Sequence, residues 1–315
     1  MKLVLATILS VGLIWACSEP KGASPPLKIA TNPWPGYEFL HLADQLGYFK
    51  QVGLDVDLIQ LGSLSDAQQA YLQGHADGLT STLIEAVQAP HLGGKPLQVV
   101  LIPDFSNGGD VIIANKGVNS ISELKGRRVG AEVSSLGIYI LTRALHKYGM
   151  EIEDVELINV EQSNGENALL TGQIDAFVTY PPVSSKLLHH TQLHQVFDTS
   201  EIPYEVLDTV SLSKEALRTN PEAVEKLKKA WQMALDFSSK HPIQAYQIMA
   251  RREQITEEEF IAALQGIEVL SLKQQSQILS SPNQLEQMAS QVCSLLVELE
   301  NISSDCNGLK DLFYR

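Results

Sequence analysis

The chemistry-bearing residues of this chain gather at the ends of short apolar runs, where a strand would hand over to a helix. Residues 128–131 form such a run, Glu132 to Ser135 make a turn, and Ile138, Ile140, Leu141, Ala144 and Leu145 follow at helical spacing. Ser134 and Ser135 thus fall at a helix N-terminus, where unpaired N–H groups and the dipole favour a ligand oxygen or anion. The same pair also reads as a plain helix cap. Searching the other strand-to-helix loops adds Trp34, Tyr37, Ser63, Ser65, Ser81, Thr82 and Asp104 from the first half of the chain. The second half contributes Glu132, Ser134, Ser135, Gln162, Asn164 and Tyr180.

Aromatic faces with polar rims suit a small polar organic ligand packed on Trp34, which Pro33, Pro35 and Gly36 keep in a loop. Asp104 and Glu132 carry the most discriminating chemistry. Two carboxylates in a closed cleft repel an anion, and these loops hold no Arg or Lys to offset them. An amine, amidine or aminopyrimidine would satisfy both acids. A zwitterion could add its anionic end at Ser134 and Ser135. Each acid also reads as a solvated turn residue or a cap.

Strands are expected at residues 27–30, 56–61, 78–80 and 97–102, alternating with helices, which predicts parallel α/β architecture. The pattern then repeats. Gly53-Leu54 matches Gly149-Met150, and Leu72-Gln-Gly-His-Ala-Asp77 matches Leu170-Thr-Gly-Gln-Ile-Asp175, about a hundred residues apart. Two Rossmann-like lobes follow, with a ligand cleft between them and a helical C-terminal end from Pro221 onward. Lobe 1 is expected over residues 27–110 and 205–315, and lobe 2 over 111–204, with a return near 202–206. On the helix after Pro221, Val224, Leu227, Ala230, Trp231, Ala234 and Leu235 share one face.

A length of 315 residues allows two domains, and a formal charge of −14 argues against nucleic acid as a partner. Met1-Lys2, an apolar run over 3–14 and Ile14-Trp-Ala-Cys17 look like a bacterial lipoprotein signal occupying residues 1–16. Cys17 would be lipidated, and residues 17–26 would be a tether. Cys293 and Cys306, in an exported chain, are candidates for a disulfide or for two free thiols. His189, His190 and His194 read as a solvated face, so neither a metal nor a cofactor is expected.

Asn32-Pro-Trp-Pro-Gly-Tyr37, Gly47-Tyr-Phe49, Gly53-Leu-Asp-Val-Asp57, Gly74-x-x-Asp77, Ile121-Ser-Glu-Leu-Lys-Gly-Arg-Arg-Val-Gly130 and Tyr180-Pro-Pro182 together resemble the ABC-importer substrate-binding proteins. Within these they point to the nitrate, taurine, sulfonate and thiamine-pyrimidine-precursor branch, of the type II periplasmic binding protein fold. The resemblance implies a periplasmic or cell-surface protein, lipid-anchored to a membrane, that closes on a small molecule and hands it to a permease and its ATPase. No catalytic residue is expected. The alternatives are sulfonate, taurine or nitrate binding, a sensory lipoprotein, or an enzyme on the same fold. The cysteine-rich motif of the fungal pyrimidine-precursor synthases has no counterpart here.

Overall fold

The computed structural model describes residues 25–303, 306 and 308–314. The expected leader and Cys17 lie outside the described residues, as does most of the tether. Among the described residues no helix is long and apolar enough to cross a membrane.

Twelve strands are β1 (Leu27–Thr31), β2 (Val56–Gln60), β3 (Gly78–Thr82), β4 (Leu97–Leu101), β5 (Asp104–Ser106), β6 (Val111–Asn115), β7 (Arg128–Ala131), β8 (Glu156–Asn159), β9 (Ala176–Thr179), β10 (Leu193–Asp198), β11 (Asp208–Ser213) and β12 (Ile267–Val269). They make one five-stranded sheet of order β2-β1-β3-β11-β4 and a second of order β10-β6-β9-β7-β8. β5 pairs with β12 in a separate ribbon. Helices complete two α/β lobes of the periplasmic binding protein fold, and the C-terminal end is helical.

The repeat visible in the sequence is a repeat in structure. β1 lies parallel between β2 and β3, and β7 lies parallel between β8 and β9. Gly74 and Gly172 both take positive φ, as the left-handed turn after each helix requires. The aspartate that follows then bonds back to the first strand. Lys28 N–H donates to Asp77 Oδ2 at 3.0 Å, and Arg128 N–H donates to Asp175 Oδ2 at 3.0 Å.

The sheets are mixed, which corrects the purely parallel expectation. β11 runs antiparallel between β3 and β4, and β6 and β10 run antiparallel at one side of the second sheet. β10, β11 and the helix Leu272–Leu279 had no counterpart in the sequence reading. β11 escapes a hydrophobicity pattern because Asp208, Thr209, Ser211 and Ser213 alternate with Val210 and Leu212, yet every one of these residues is buried.

The crossing segments pair with each other, since Ser106 N–H donates to Val206 O at 3.0 Å and Phe105 bridges Leu207. On the helix Ala223–Lys240 the stripe from Val224 to Ala234 is buried, while Leu235 is only partly so. Trp231 is fully buried and meets Phe39 edge-on at 5.6 Å, a contact that fixes this helix on the first lobe. Cys293, on the helix Pro282–Glu298, is disulfide-bonded to Cys306, and the chain end then runs along β4.

Candidate functional site

The loop after β1 is shaped by its own backbone. Trp34 O accepts from Tyr37 N–H at 2.9 Å, a tight turn that presents both aromatic rings to the cavity. Gly36 is obligatory there, because a Cβ would lie 1.8 Å from Asp104 Oδ2. Trp34 Nε1–H donates to Asp104 Oδ1 at 3.1 Å, and the Tyr37 hydroxyl donates to Asp208 Oδ1. From the second lobe, Tyr180 meets Trp34 edge-on at 6.1 Å.

These groups surround a cavity of about 10 Å³ lined by Asn32, Trp34, Tyr37, Leu64, Thr82, Asp110, Leu136, Tyr180 and Asp208. That is room for about one water, so an organic ligand enters only as the lobes part. A larger hollow of about 520 Å³ lies elsewhere, lined in part by Tyr139, Arg143 and Gln287, with far less buried polar chemistry.

The cavity is acidic to a degree the sequence did not announce. Asp110 and Asp208 line it, while Asp104, Glu85 and the expected ligand group Glu132 are buried outside its lining. The free oxygens Asp104 Oδ2, Asp110 Oδ2, Asp208 Oδ2, Glu132 Oε1 and Asn32 Oδ1 have no hydrogen-bond partner. Each can accept a hydrogen bond, and among the described residues no buried Lys, Arg or His faces them. Burial pushes the Asp104 carboxyl up to about 7, opposed by the Trp34 N–H. Asp110 is likewise pushed up to about 7 by burial, against the Ser106 hydroxyl. Asp208 is driven well above the carboxylate range by burial and by Asp104 beside it. Glu132 rises to about 8 through burial and the adjacent Glu161 carboxyl.

The sequence-predicted residues divide. Trp34, Tyr37, Thr82 and Tyr180 line the cavity, and Asp104 stands directly behind Trp34. Ser63 caps the helix Leu64–Leu72 by accepting from Asp66 N–H at 3.1 Å. Ser65 and Ser134 meet hydroxyl to hydroxyl at 3.1 Å, bridging the lobes. Ser135 caps the helix Leu136–Lys147 in position only, for its buried Oγ bonds nothing. Ser81 stays in the sheet, where its hydroxyl donates to Thr82 O at 3.1 Å, away from the cavity. Gln162 is spent on Thr179 and Val178, and Asn164 is exposed.

Asp110, Asp208 and Glu85 were missed. Asp110 sits in the same crossing segment as Asp104, Glu85 completes a Thr-x-x-Glu capping box with Thr82, and Asp208 opens the unrecognised strand β11. His189 is exposed and His190 partly so, and each has one acidic neighbour that the sequence did not reveal, Glu259 at 2.7 Å and Glu166 at 2.8 Å.

A family model described as NMT1/THI5 like matches residues 34–245. A protein named as a binding protein in Brucella abortus is 26% identical over 249 residues, covering 77% of this chain and 76% of its own length. The 4-amino-5-hydroxymethyl-2-methylpyrimidine phosphate synthase THI13 of Saccharomyces cerevisiae is 24% identical over 229 residues, covering 68% of this chain and 67% of that one. Among solved structures, the periplasmic aliphatic sulphonate binding protein SsuA of Escherichia coli superposes with a TM-score of 0.72 at 16% identity, over 92% of this chain and 98% of that one.

Proposed function

The chain belongs to the NMT1/THI5-like family, and on that premise we propose that it is an extracytoplasmic solute-binding lipoprotein of an ABC importer. It captures a small nitrogenous cation, an amine, amidine or aminopyrimidine, by closing two lobes over it. The observation that carries the ligand class is the pair of buried carboxyls, Asp110 and Asp208, that line the cavity with an unpartnered oxygen each, with Asp104 behind Trp34 and no buried base among the described residues. A ligand rich in N–H donors satisfies both, whereas a sulfonate or nitrate brings only further acceptor oxygens to them.

The lobes are taken as residues 27–110 with 205–315, and residues 111–204, a division that the strand membership of the two sheets supports. The lipobox-like Ile14-Trp-Ala-Cys17 supports anchoring through Cys17, and delivery to a permease and ATPase follows from the importer reading. A binding role rather than an enzymatic one is supported by the Brucella abortus relative named as a binding protein and by the likeness to SsuA. A thermal-shift screen of the chain from Ser18 onward, against amines, amidines, aminopyrimidines, taurine, alkylsulfonates and nitrate, tests this. Selective stabilisation by the nitrogenous cations is expected. Selective stabilisation by sulfonates or nitrate overturns the ligand class.

A further inference from the structure

Two helix N-termini face the cleft, and each is occupied by a side chain from the opposite lobe. Leu64 N–H, at the start of Leu64–Leu72, donates to Tyr180 Oη at 3.0 Å. Leu136 N–H, at the start of Leu136–Lys147, donates to Glu85 Oε1 at 2.8 Å. A free N–H in the first turn of a helix is where an anionic ligand places an oxygen. Here neither is free.

Glu85 does more than cap its own helix. A capping box asks only that one oxygen reach back to the N-cap, and Glu85 Oε2 does this by accepting from Thr82 N–H at 2.9 Å and Thr82 Oγ1–H at 2.6 Å. The second oxygen crosses between the lobes to Leu136, which capping does not require. Glu85 is completely buried, so no solvent competes for that bond. Next to it, the Ser135 hydroxyl is buried and has no partner, a polar group that an incoming oxygen would also have engaged.

We propose that Glu85 is a specificity-determining residue that excludes anions, because its carboxyl already fills the helix N-terminus of the second lobe where a sulfonate, nitrate or ligand carboxylate would bind. The inference rests on the cation-binding reading and narrows it. With that donor taken, a zwitterion has no place for its anionic end at Ser134 and Ser135, so the solute is a cation without a neighbouring carboxylate or sulfonate.

The test compares the parent with Glu85→Ala and Glu85→Gln, each checked for native circular dichroism, against methanesulfonate, nitrate, taurine and benzamidine by thermal shift. Glu85→Ala exposes Leu136 N–H and Ser135, and gains a saturable response to methanesulfonate or nitrate of about 3 °C at roughly ten times the Kd. Glu85→Gln keeps a side-chain atom over Leu136 and gains none, and its near-isosteric side chain leaves an outcome to read if the alanine variant does not fold. An anion response in Glu85→Gln overturns the proposal. So does a folded Glu85→Ala that still responds to benzamidine but to no anion, an outcome that leaves the cation reading standing. A parent chain stabilised by methanesulfonate overturns both.

Discussion

The acids of the cleft make stability and ligand binding respond to pH in opposite directions. Asp104 and Asp110 both sit at about 7 in the folded chain, well above an ordinary aspartate, because burial penalises their charged forms. Between the unfolded and folded values the native chain holds protons that the unfolded chain has released. The stability of the free protein therefore falls as pH rises from about 4 through about 7. A cation that binds the ionised acids reverses the trend. With a carboxyl at about 7, roughly a tenth of the molecules are ionised at pH 6 and roughly nine tenths at pH 8. One obligatory ionisation strengthens binding about tenfold between those values, and two strengthen it about a hundredfold. Asp208 is likewise pushed up, by burial and by Asp104 beside it. The assay is calorimetric titration with an amidine, charged across the whole range, at pH 6, 7 and 8 in buffers of different ionisation enthalpy. It counts released protons directly, about one per ligand at pH 7 if both acids ionise. Asp104→Asn removes one ionisation, reducing the pH dependence to about tenfold and weakening binding at pH 8. An affinity that is flat over this range, or tighter at pH 6, refutes the reasoning.

Trp34→Ala deletes the aromatic wall and the N–H that steadies Asp104, and binding is expected to disappear with the fold intact; a folded variant that binds like the parent contradicts the pocket assignment. Gly36→Ala forces a methyl onto Asp104 Oδ2, so the loop moves and affinity falls at least tenfold, about 1.4 kcal/mol, measured by the same titration. Arg252 bonds the fully buried Glu38 from two nitrogens, and Arg252→Met strands that carboxyl. A loss of about 3 kcal/mol in urea unfolding is expected at pH 8, and less at pH 5, because Glu38, already pushed up to about 7 by burial, then carries a proton. An unchanged unfolding midpoint at pH 8 counts against it.

Much of the architecture was legible because it is written in periodicity. The stripe from Ile138 to Leu145 is buried as its spacing predicts, and the paired Gly74-x-x-Asp77 and Gly172-x-x-Asp175 motifs mark equivalent turns. What escaped was polar chemistry inside the sheet. β11 is central and fully buried, yet four of its six residues are Asp, Thr or Ser, whose partners come from distant strands such as Ser81 in β3. Such a strand cannot be told from a loop by hydrophobicity alone. Asp208 was lost with it, and the acidic character of the cleft was underestimated to the same extent. Ser81 fails as a ligand group for the converse reason. Its position at a strand end suggested exposure, but side chains alternate across a strand and its hydroxyl turns into the sheet.

The most direct test of the central claim is a crystal structure of the chain with the best cation from the thermal-shift screen. The ligand's nitrogens are expected within about 3 Å of Asp110 and Asp208, under Trp34 and Tyr180, in a cleft wider than about 10 Å³. A ligand seated instead in the outer hollow beside Tyr139 and Arg143, with the acidic cleft closed, would contradict it.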